Sequence, residues 1–141
     1  MAGIGVWQTC RMNPAIEASL ECWHEIIASG DTRRLRSLLA PDCVFRSPVA
    51  YQPYHGAERT ERVLATAAAV FQDFLYHRTF VAGNDVALEF SARVGTAELK
   101  GIDLIHFDDN GLITEFEVMV RPATGLQALG QEMARRLAIQ A

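Results

Sequence analysis

One carboxylate in this sequence lies inside a strand-like apolar run, where it would have unusual chemistry. The stretch GIDLIHFDDNG, residues 101 to 111, places Asp103 among isoleucine, leucine and phenylalanine side chains just before a turn. A carboxylate on an apolar face is costly unless it is hydrogen-bonded or protonated, and burial raises its pKa. Asp103 is therefore our candidate catalytic residue, as an acid, a base or a hydrogen-bond donor. The alternative that the residues leave open is a structural carboxylate that bonds a buried backbone group or caps a helix.

The direction in which Asp103 points follows from the hairpin that its neighbours predict. The run VALEFSARV alternates apolar and polar residues, and Gly95-Thr96 fits a two-residue turn before AELKGIDLIHF. With this turn, Leu88 lies opposite Asp103 on the apolar face of the sheet. A shift by one residue would instead bury the charged residues of the other face: Arg93, Glu98 and Lys100. We therefore predict that Asp103 faces inward.

The other residues with catalytic or metal-binding potential form no recognisable set. The cysteines have no CxxC spacing and the histidines no HxH or HExxH spacing, so we predict reduced thiols, no metal site and no cofactor. His24 borders the apolar stripe of the first predicted helix, where a helix-edge histidine is the simpler interpretation. The possible helpers of Asp103 are His24, Arg46, Tyr51, Tyr54, His55 and His77.

Length and composition indicate one globular domain and exclude several classes of partner. The chain has 141 residues, of which 50% are hydrophobic and 21% charged, and its formal net charge is -4. No run of lysine and arginine is present, which argues against nucleic acid and against an anionic membrane surface. No apolar segment approaches the roughly 20 residues that span a bilayer, and the first residues do not resemble a signal peptide. We expect a cytoplasmic protein.

The order of predicted elements is typical of an α+β fold with one sheet covered by helices. Asn13-Pro14 begins the first helix and Ser29-Gly30 ends it. Asp31 can cap a second helix that Pro41 ends, and residues 57 to 71 form a third. We predict strands at 42–48, 75–82, 86–94, 97–107 and 112–120, and a loop at 49–56. Leu126, Leu129, Met133 and Leu137 recur at helical spacing and predict a C-terminal helix after the last strand. This organisation gives an N-terminal arm at 1–12, a domain at 13–122 and the C-terminal helix within 123–141.

Three segments in this order resemble the nuclear-transport-factor-2-like superfamily and, within it, the SnoaL-like family. They are IIASGDTRRLRSLLAPDCVFRSP, YHG before the third helix, and GIDLIHFDDNGLITEFEV. The resemblance implies a cone, in which a strongly curved mixed or antiparallel sheet is wrapped by three helices from the N-terminal half and closed by the C-terminal helix. It also implies an internal apolar pocket and, in many members, dimers that form through the outer face of the sheet.

Ketosteroid isomerases share this implied fold, and their catalytic groups can be compared with this sequence one at a time. Asp103 matches their oxyanion-stabilising aspartate. Their catalytic tyrosine on the first helix corresponds to Trp23, and their general-base aspartate corresponds to Ser47, before the proline that closes the first strand. An indole N–H can still donate a hydrogen bond, but a serine hydroxyl is no unaided base. The resemblance therefore does not predict ketosteroid isomerase activity itself.

The function that we predict is binding of a small, mostly apolar molecule in the internal pocket. The protein would be a cofactor-independent isomerase, cyclase or epoxide-hydrolase-like enzyme if Asp103 transfers a proton. The alternative is a non-catalytic protein of the same fold that holds a lipophilic ligand or acts as a dimeric interaction module. The predicted substrate-binding residues are Trp23, Phe45, Ser47, Tyr51, Tyr54, Leu88, Phe90, Phe116 and Val118.

The outer face of the predicted sheet is a candidate interface between two copies of the chain. Alternation along the last strand sends Phe116, Val118 and Val120 inward, so that Glu115 and Glu117 face outward. An apolar patch would then be exposed on a monomer, and we predict a homodimer that covers it. The interface residues that we predict are Ile102, Leu104, His106 and Met119.

Overall fold

A computed structural model describes residues 12–140, and of residues 139 and 140 it describes the backbone alone. The predicted N-terminal arm at 1–12 therefore lies almost wholly outside the described residues. Helix α1 spans Pro14–Ser29. The Asn13 side chain caps it by accepting a hydrogen bond from the Ala15 N–H, and Gly30 ends it in the left-handed conformation. The predicted start and end of this helix are confirmed.

The second predicted helix is shorter and tighter than expected. It is a 3₁₀-helix at Thr32–Leu38, capped by Asp31, and the chain is already extended at Leu39. The prediction that Pro41 ends this helix was wrong, because strand β1 spans Leu39–Arg46 and includes that proline. Pro41 is tolerated there because the pairing of β1 is irregular between Leu39 and Val44, where no ladder hydrogen bond from residue 41 is needed.

Six strands form one curved, open sheet, and the predicted α+β class is confirmed. Beyond β1, the strands are β2 at Tyr54–His55, β3 at Gln72–Ala82, β4 at Asp85–Val94, β5 at Ala97–Phe107 and β6 at Ile113–Arg121. Their order across the sheet is β2-β1-β6-β5-β4-β3. Strand β1 runs parallel to β6, whereas the other pairs are antiparallel. Strand β2 lies in the segment that the sequence indicated as a loop.

The register of β4 and β5 agrees with the hairpin prediction at every pair from Val94 opposite Ala97 onward. Leu88 lies opposite Asp103, and Val118 of β6 lies opposite Asp103 on its other side. Asp103 is 5% exposed, so its inward orientation is confirmed. This shared register also places the polar residues of the hairpin on the outer face of the sheet.

Helices cover the inner face of the sheet and enclose the core. Helix α2 spans Ala57–Val70, and helix α3 spans Ala123–Gln140. The α3 helix packs on α2 and on strands β4, β5 and β6, so the C-terminal helix is part of the same core as the rest of the domain. Within the described residues, no helix is long and apolar enough to cross a membrane.

Gly101 of β5 permits a close approach between the sheet and an aromatic ring. A Cβ atom at this position would lie 2.4 Å from Cζ of Phe90 and 2.7 Å from the backbone oxygen of Met119. Because the Met119 backbone belongs to the neighbouring strand, it cannot move aside without breaking the ladder. We expect Gly101→Ala to lower the free energy of unfolding by about 1–3 kcal/mol, as overpacking of a core does. Urea unfolding measures this change.

The matched control for this prediction is Glu98→Ala, which removes an exposed side chain from the same strand. This control should change the free energy of unfolding by no more than an ordinary surface substitution does, about 0.5 kcal/mol. A Gly101→Ala protein as stable as the wild type would show that the ring of Phe90 can move away at no cost.

Candidate functional site

An internal cavity of about 200 Å³ lies between the inner face of the sheet and the helices. Most of its lining is apolar, and it includes side chains from all three α-helices and from strands β1, β3, β5 and β6. The residues of α3 that line it are Leu129, Gly130, Met133, Ala134 and Leu137. The cavity therefore has the size and character of a site for a small, mostly apolar molecule.

Asp103 provides the carboxylate of this cavity. Its Oδ2 atom accepts a hydrogen bond of 2.7 Å from the Tyr76 hydroxyl, and Tyr76 Oη accepts one of 2.9 Å from the indole Nε1 of Trp23. No donor among the described residues reaches Oδ1 of Asp103, and the residue lines the cavity. One carboxylate oxygen is thus held by the protein, and the other is left for a ligand.

Burial determines the protonation of this carboxyl. Loss of solvent raises the pKa of Asp103 from 3.8 to about 7, and the hydrogen bond from Tyr76 opposes part of that rise. Burial, together with the charge of Asp103, raises the pKa of Tyr76 well above its ordinary value, so Tyr76 remains a donor at neutral pH. Near pH 7 the carboxyl is present in both forms. When it is neutral, its proton belongs on Oδ1, because Oδ2 is occupied as an acceptor.

Tyr76→Phe tests the hydrogen bond that holds Asp103. A hydrogen bond to a charged group contributes about 1.5–3 kcal/mol, so its loss should raise the pKa of Asp103 by about one unit or more. Carboxyl ¹³C NMR during a pH titration measures this shift. Tyr54→Phe is the matched control, since Tyr54 lines the cavity but is not the hydroxyl that donates to Asp103 in the described part of the chain. An unchanged pKa in Tyr76→Phe would contradict the assigned hydrogen bond.

The structure places most of the residues predicted to bind substrate around this cavity. Those that line it are Trp23, Phe45, Ser47, Tyr54, Phe116 and Val118. Leu88 and Phe90 are fully buried in the core beneath the lining, on the same sheet face as Asp103. Tyr51 is 97% exposed and lies outside the lining. The sequence analysis predicts that Tyr51 binds substrate, but in the structure this side chain points into solvent.

The possible helpers of Asp103 lie in different environments. His24 contacts the ring of Tyr76 edge-on, with 5.3 Å between ring centroids, and burial lowers the pKa of His24. His55 is exposed, and His77 bonds the Ser91 hydroxyl on the outer face. Arg46 pairs with Glu115, also on the outer face, at 3.2 Å. None of these four side chains lines the cavity.

Tyr76 is the site residue that the sequence analysis missed, and a bulge in β3 explains why. From the turn after Ala82 the pairing is regular as far as Thr79 opposite Leu88, but the next pair is Tyr76 opposite Phe90. Continuing the regular pairing would set Tyr76 opposite Ser91, on the outer face. The extra residue in β3 reverses the alternation and turns Tyr76 inward. An aromatic residue in a predicted edge strand beside the hairpin was the available signal, but it carried no direction.

No group of three histidine, cysteine, aspartate or glutamate side chains within residues 12–140 is placed to hold a metal ion. Among the residues that the structure describes, Asp103 is the single carboxylate in the lining, and its polar neighbours there are neutral hydroxyl and indole groups. The arrangement can therefore exchange a proton with a bound molecule or donate a hydrogen bond to it.

Comparisons with known proteins agree with this architecture. The model of the SnoaL-like domain matches residues 20–116. A crystal structure of a steroid Δ-isomerase from Pseudomonas aeruginosa is 55% identical, with a TM-score of 0.90 over 92% of this chain and 96% of that one. An uncharacterised protein with a cystatin-like fold from Silicibacter pomeroyi is 35% identical, with a TM-score of 0.82 over 90% of this chain and 87% of that one.

More distant structures share the fold alone. An NTF2-like protein of unknown function from Mesorhizobium loti is 19% identical, with a TM-score of 0.70 over 78% of this chain and 93% of that one. A comparison with curated proteins finds no match. The family model covers more than half of the chain. The helices and strands of the chain follow the order of the NTF2-like fold. The chain therefore belongs to the SnoaL-like family and has the NTF2-like fold.

Proposed function

We propose that the protein binds a small, mostly apolar carbonyl compound in its internal cavity and isomerises it without a cofactor. The observation that carries this proposal is the buried carboxyl of Asp103, with one oxygen held by Tyr76 and the other left for a ligand in a mostly apolar cavity. Such a site favours a ligand with an apolar body and one polar group.

The pKa of Asp103 suits a residue that accepts a proton and then returns it. A value of about 7 leaves ionised and neutral forms both populated near neutral pH. In the proposed step the carboxylate removes a proton from the carbon next to the carbonyl. It then delivers that proton to the γ carbon of the β,γ-unsaturated substrate. The double bond thereby moves from the β,γ position to the α,β position. The same proton leaves and returns, so no other reactant is consumed.

The similarity to a steroid Δ-isomerase supports this class of reaction. At 55% identity over nearly the whole of both chains, a related reaction on an apolar cyclic substrate is a reasonable expectation. The residue in the general-base position of ketosteroid isomerases is Ser47, whose Oγ accepts a hydrogen bond from the Val49 N–H at 3.1 Å. Because a serine hydroxyl has no free basic group here, our proposal gives Asp103 both halves of the proton transfer.

A second candidate function is binding of the same class of molecule without chemistry. The lining contains one carboxylate, and within the described residues no histidine or second acid joins it there. A protein that only holds a lipophilic ligand needs no more than this cavity.

One experiment separates the two candidates. The purified protein is mixed with a series of β,γ-unsaturated cyclic ketones, a steroid among them, and the absorbance of the conjugated product is followed. Binding is measured in parallel by calorimetry with the saturated ketones. Conversion above a buffer control supports the enzyme, and binding without conversion supports the binding protein. If the protein neither binds nor converts any ketone of the series, both proposals are contradicted.

A further inference from the structure

The wall of the cavity has a second polar position in line with Asp103. On the inner face of the sheet, Val118 of β6 lies opposite Asp103 of β5. Strand β1 runs parallel to β6, and the last pair of this ladder sets Arg46 beside Glu117. One residue further along, Ser47 comes beside Val118. Ser47, Val118 and Asp103 therefore form one row across the sheet, and all three line the cavity.

Ser47 and Asp103 are two strands apart in this row. Neighbouring strands are about 4.8 Å apart, so the two Cα atoms are separated by roughly 10 Å. Val118 lies between them and is partly exposed although it is on the inner face, because the cavity lies over it. A molecule that packs on Val118 can therefore have one end at Asp103 and the other end at Ser47.

The two ends of the row differ in the hydrogen bonds that their donors already make. At the Asp103 end, the Trp23 indole donates to Tyr76, and the Tyr76 hydroxyl donates to Asp103. At the other end, Ser47 Oγ accepts a hydrogen bond of 3.1 Å from the Val49 N–H. A hydroxyl also has one hydrogen to donate, and in the described part of the chain no group accepts that of Ser47. This hydrogen is left for a ligand.

We propose that Ser47 donates a hydrogen bond to a second oxygen of the ligand, so that the substrate is a small compound with two oxygens on an apolar body. This inference rests on the proposed function, in which a carbonyl compound binds beside Asp103. At about 200 Å³ the cavity is smaller than the roughly 300–1,000 Å³ of sites for drug-sized ligands. A bicyclic diketone is therefore a suitable representative of this class.

Two matched ligands test this inference with the full-length chain. Decalone has one carbonyl group, and a decalin dione with its second carbonyl on the opposite ring differs from decalone in that group alone. Calorimetry with the wild type and with Ser47→Ala gives four dissociation constants. The ratio of the dione constant to the decalone constant should rise by about threefold to tenfold in Ser47→Ala, as expected for the loss of one hydrogen bond. Effects of the substitution that both ligands share cancel in this ratio.

Two further variants serve as controls. Ser91→Ala makes the same change on the outer face of the sheet, where Ser91 bonds His77, and should leave the ratio unchanged. Ser47→Thr keeps a hydroxyl at the proposed position and should keep the ratio of the wild type. The melting temperature of each variant shows that it is folded.

Three results would overturn the inference. The ratio could be the same in the wild type and in Ser47→Ala while decalone still binds, so that Ser47 does not contact the ligand and the proposed function stands. The ratio could instead rise only in Tyr54→Phe, which removes another hydroxyl of the lining, so that Tyr54 is the donor. If the wild type binds neither ketone, the proposed function fails together with this inference.

Discussion

Replacing Asp103 with asparagine is expected to lower kcat for double-bond migration in a β,γ-unsaturated cyclic ketone by about 10²–10⁴-fold. Asparagine has nearly the shape of the acid and can still accept the Tyr76 hydrogen bond through its side-chain oxygen, but it cannot carry a proton. The cavity and its apolar contacts remain, so the affinity for the saturated ketone should change far less than kcat. A conversion assay and calorimetry on the same preparation separate these quantities.

The control is Asp42→Asn, which makes the same chemical change at an exposed position of β1 and should leave kcat unaffected. The pH profile adds a second check. If ionised Asp103 removes the proton, kcat/KM of the wild type rises with pH and levels off above an apparent pKa of about 7. Turnover that survives in both Asp103→Asn and Asp103→Ala would remove Asp103 from the reaction.

The contribution of Asp103 to the stability of the protein should fall as the pH rises from about 4 to about 7. Its pKa is about 7 in the folded protein and near 3.8 in the unfolded chain, so the folded state binds more protons in this range. The unfolding free energy therefore decreases with pH, since charging a buried carboxyl opposes folding. The full shift corresponds to about 4 kcal/mol between the acidic and the alkaline limits.

The difference between wild type and Asp103→Asn isolates this contribution. The carboxyls whose pKa neighbouring arginines lower to about 2, Asp31 and Glu132, are the same in both proteins, so their effect on stability cancels in the difference. We expect the unfolding free energy of the wild type, measured in urea at several pH values, to fall relative to that of Asp103→Asn across pH 4–7. A constant difference between the two proteins would mean that Asp103 has an ordinary pKa in the folded state.

Much of the fold could be predicted because local signals agreed with the tertiary arrangement. The caps at Asn13 and Gly30 fixed helix α1, and the alternation around Gly95-Thr96 fixed the β4–β5 register. The predicted end of the second helix was wrong because Pro41 was interpreted as a helix stop, whereas it lies within an irregular strand. Proline restricts a helix and a regular strand alike, so it could not indicate which element surrounds it.

The candidate site was predictable where alternation decides the facing direction, and not where the ladder is irregular. The alternation of side chains between the two sheet faces placed Asp103 correctly. It could not place Tyr76, because the bulge in β3 reverses this alternation between Thr79 and Tyr76. The stripe of Leu129, Met133 and Leu137 predicted a helix after the last strand. That this helix closes the cavity depends on where the chain turns after β6, which no local pattern encodes.

The order of the residues is enough to place a carboxylate on an apolar sheet face, because a one-residue slip would bury three charged side chains. Which groups contact that carboxylate depends on the packed fold. The Tyr76 hydroxyl and the Trp23 indole come from elements far apart in the chain, and their hydrogen bonds exist only once β3, β5 and α1 are packed together. The pKa of Asp103 has the same origin, since it depends on the water that these elements exclude.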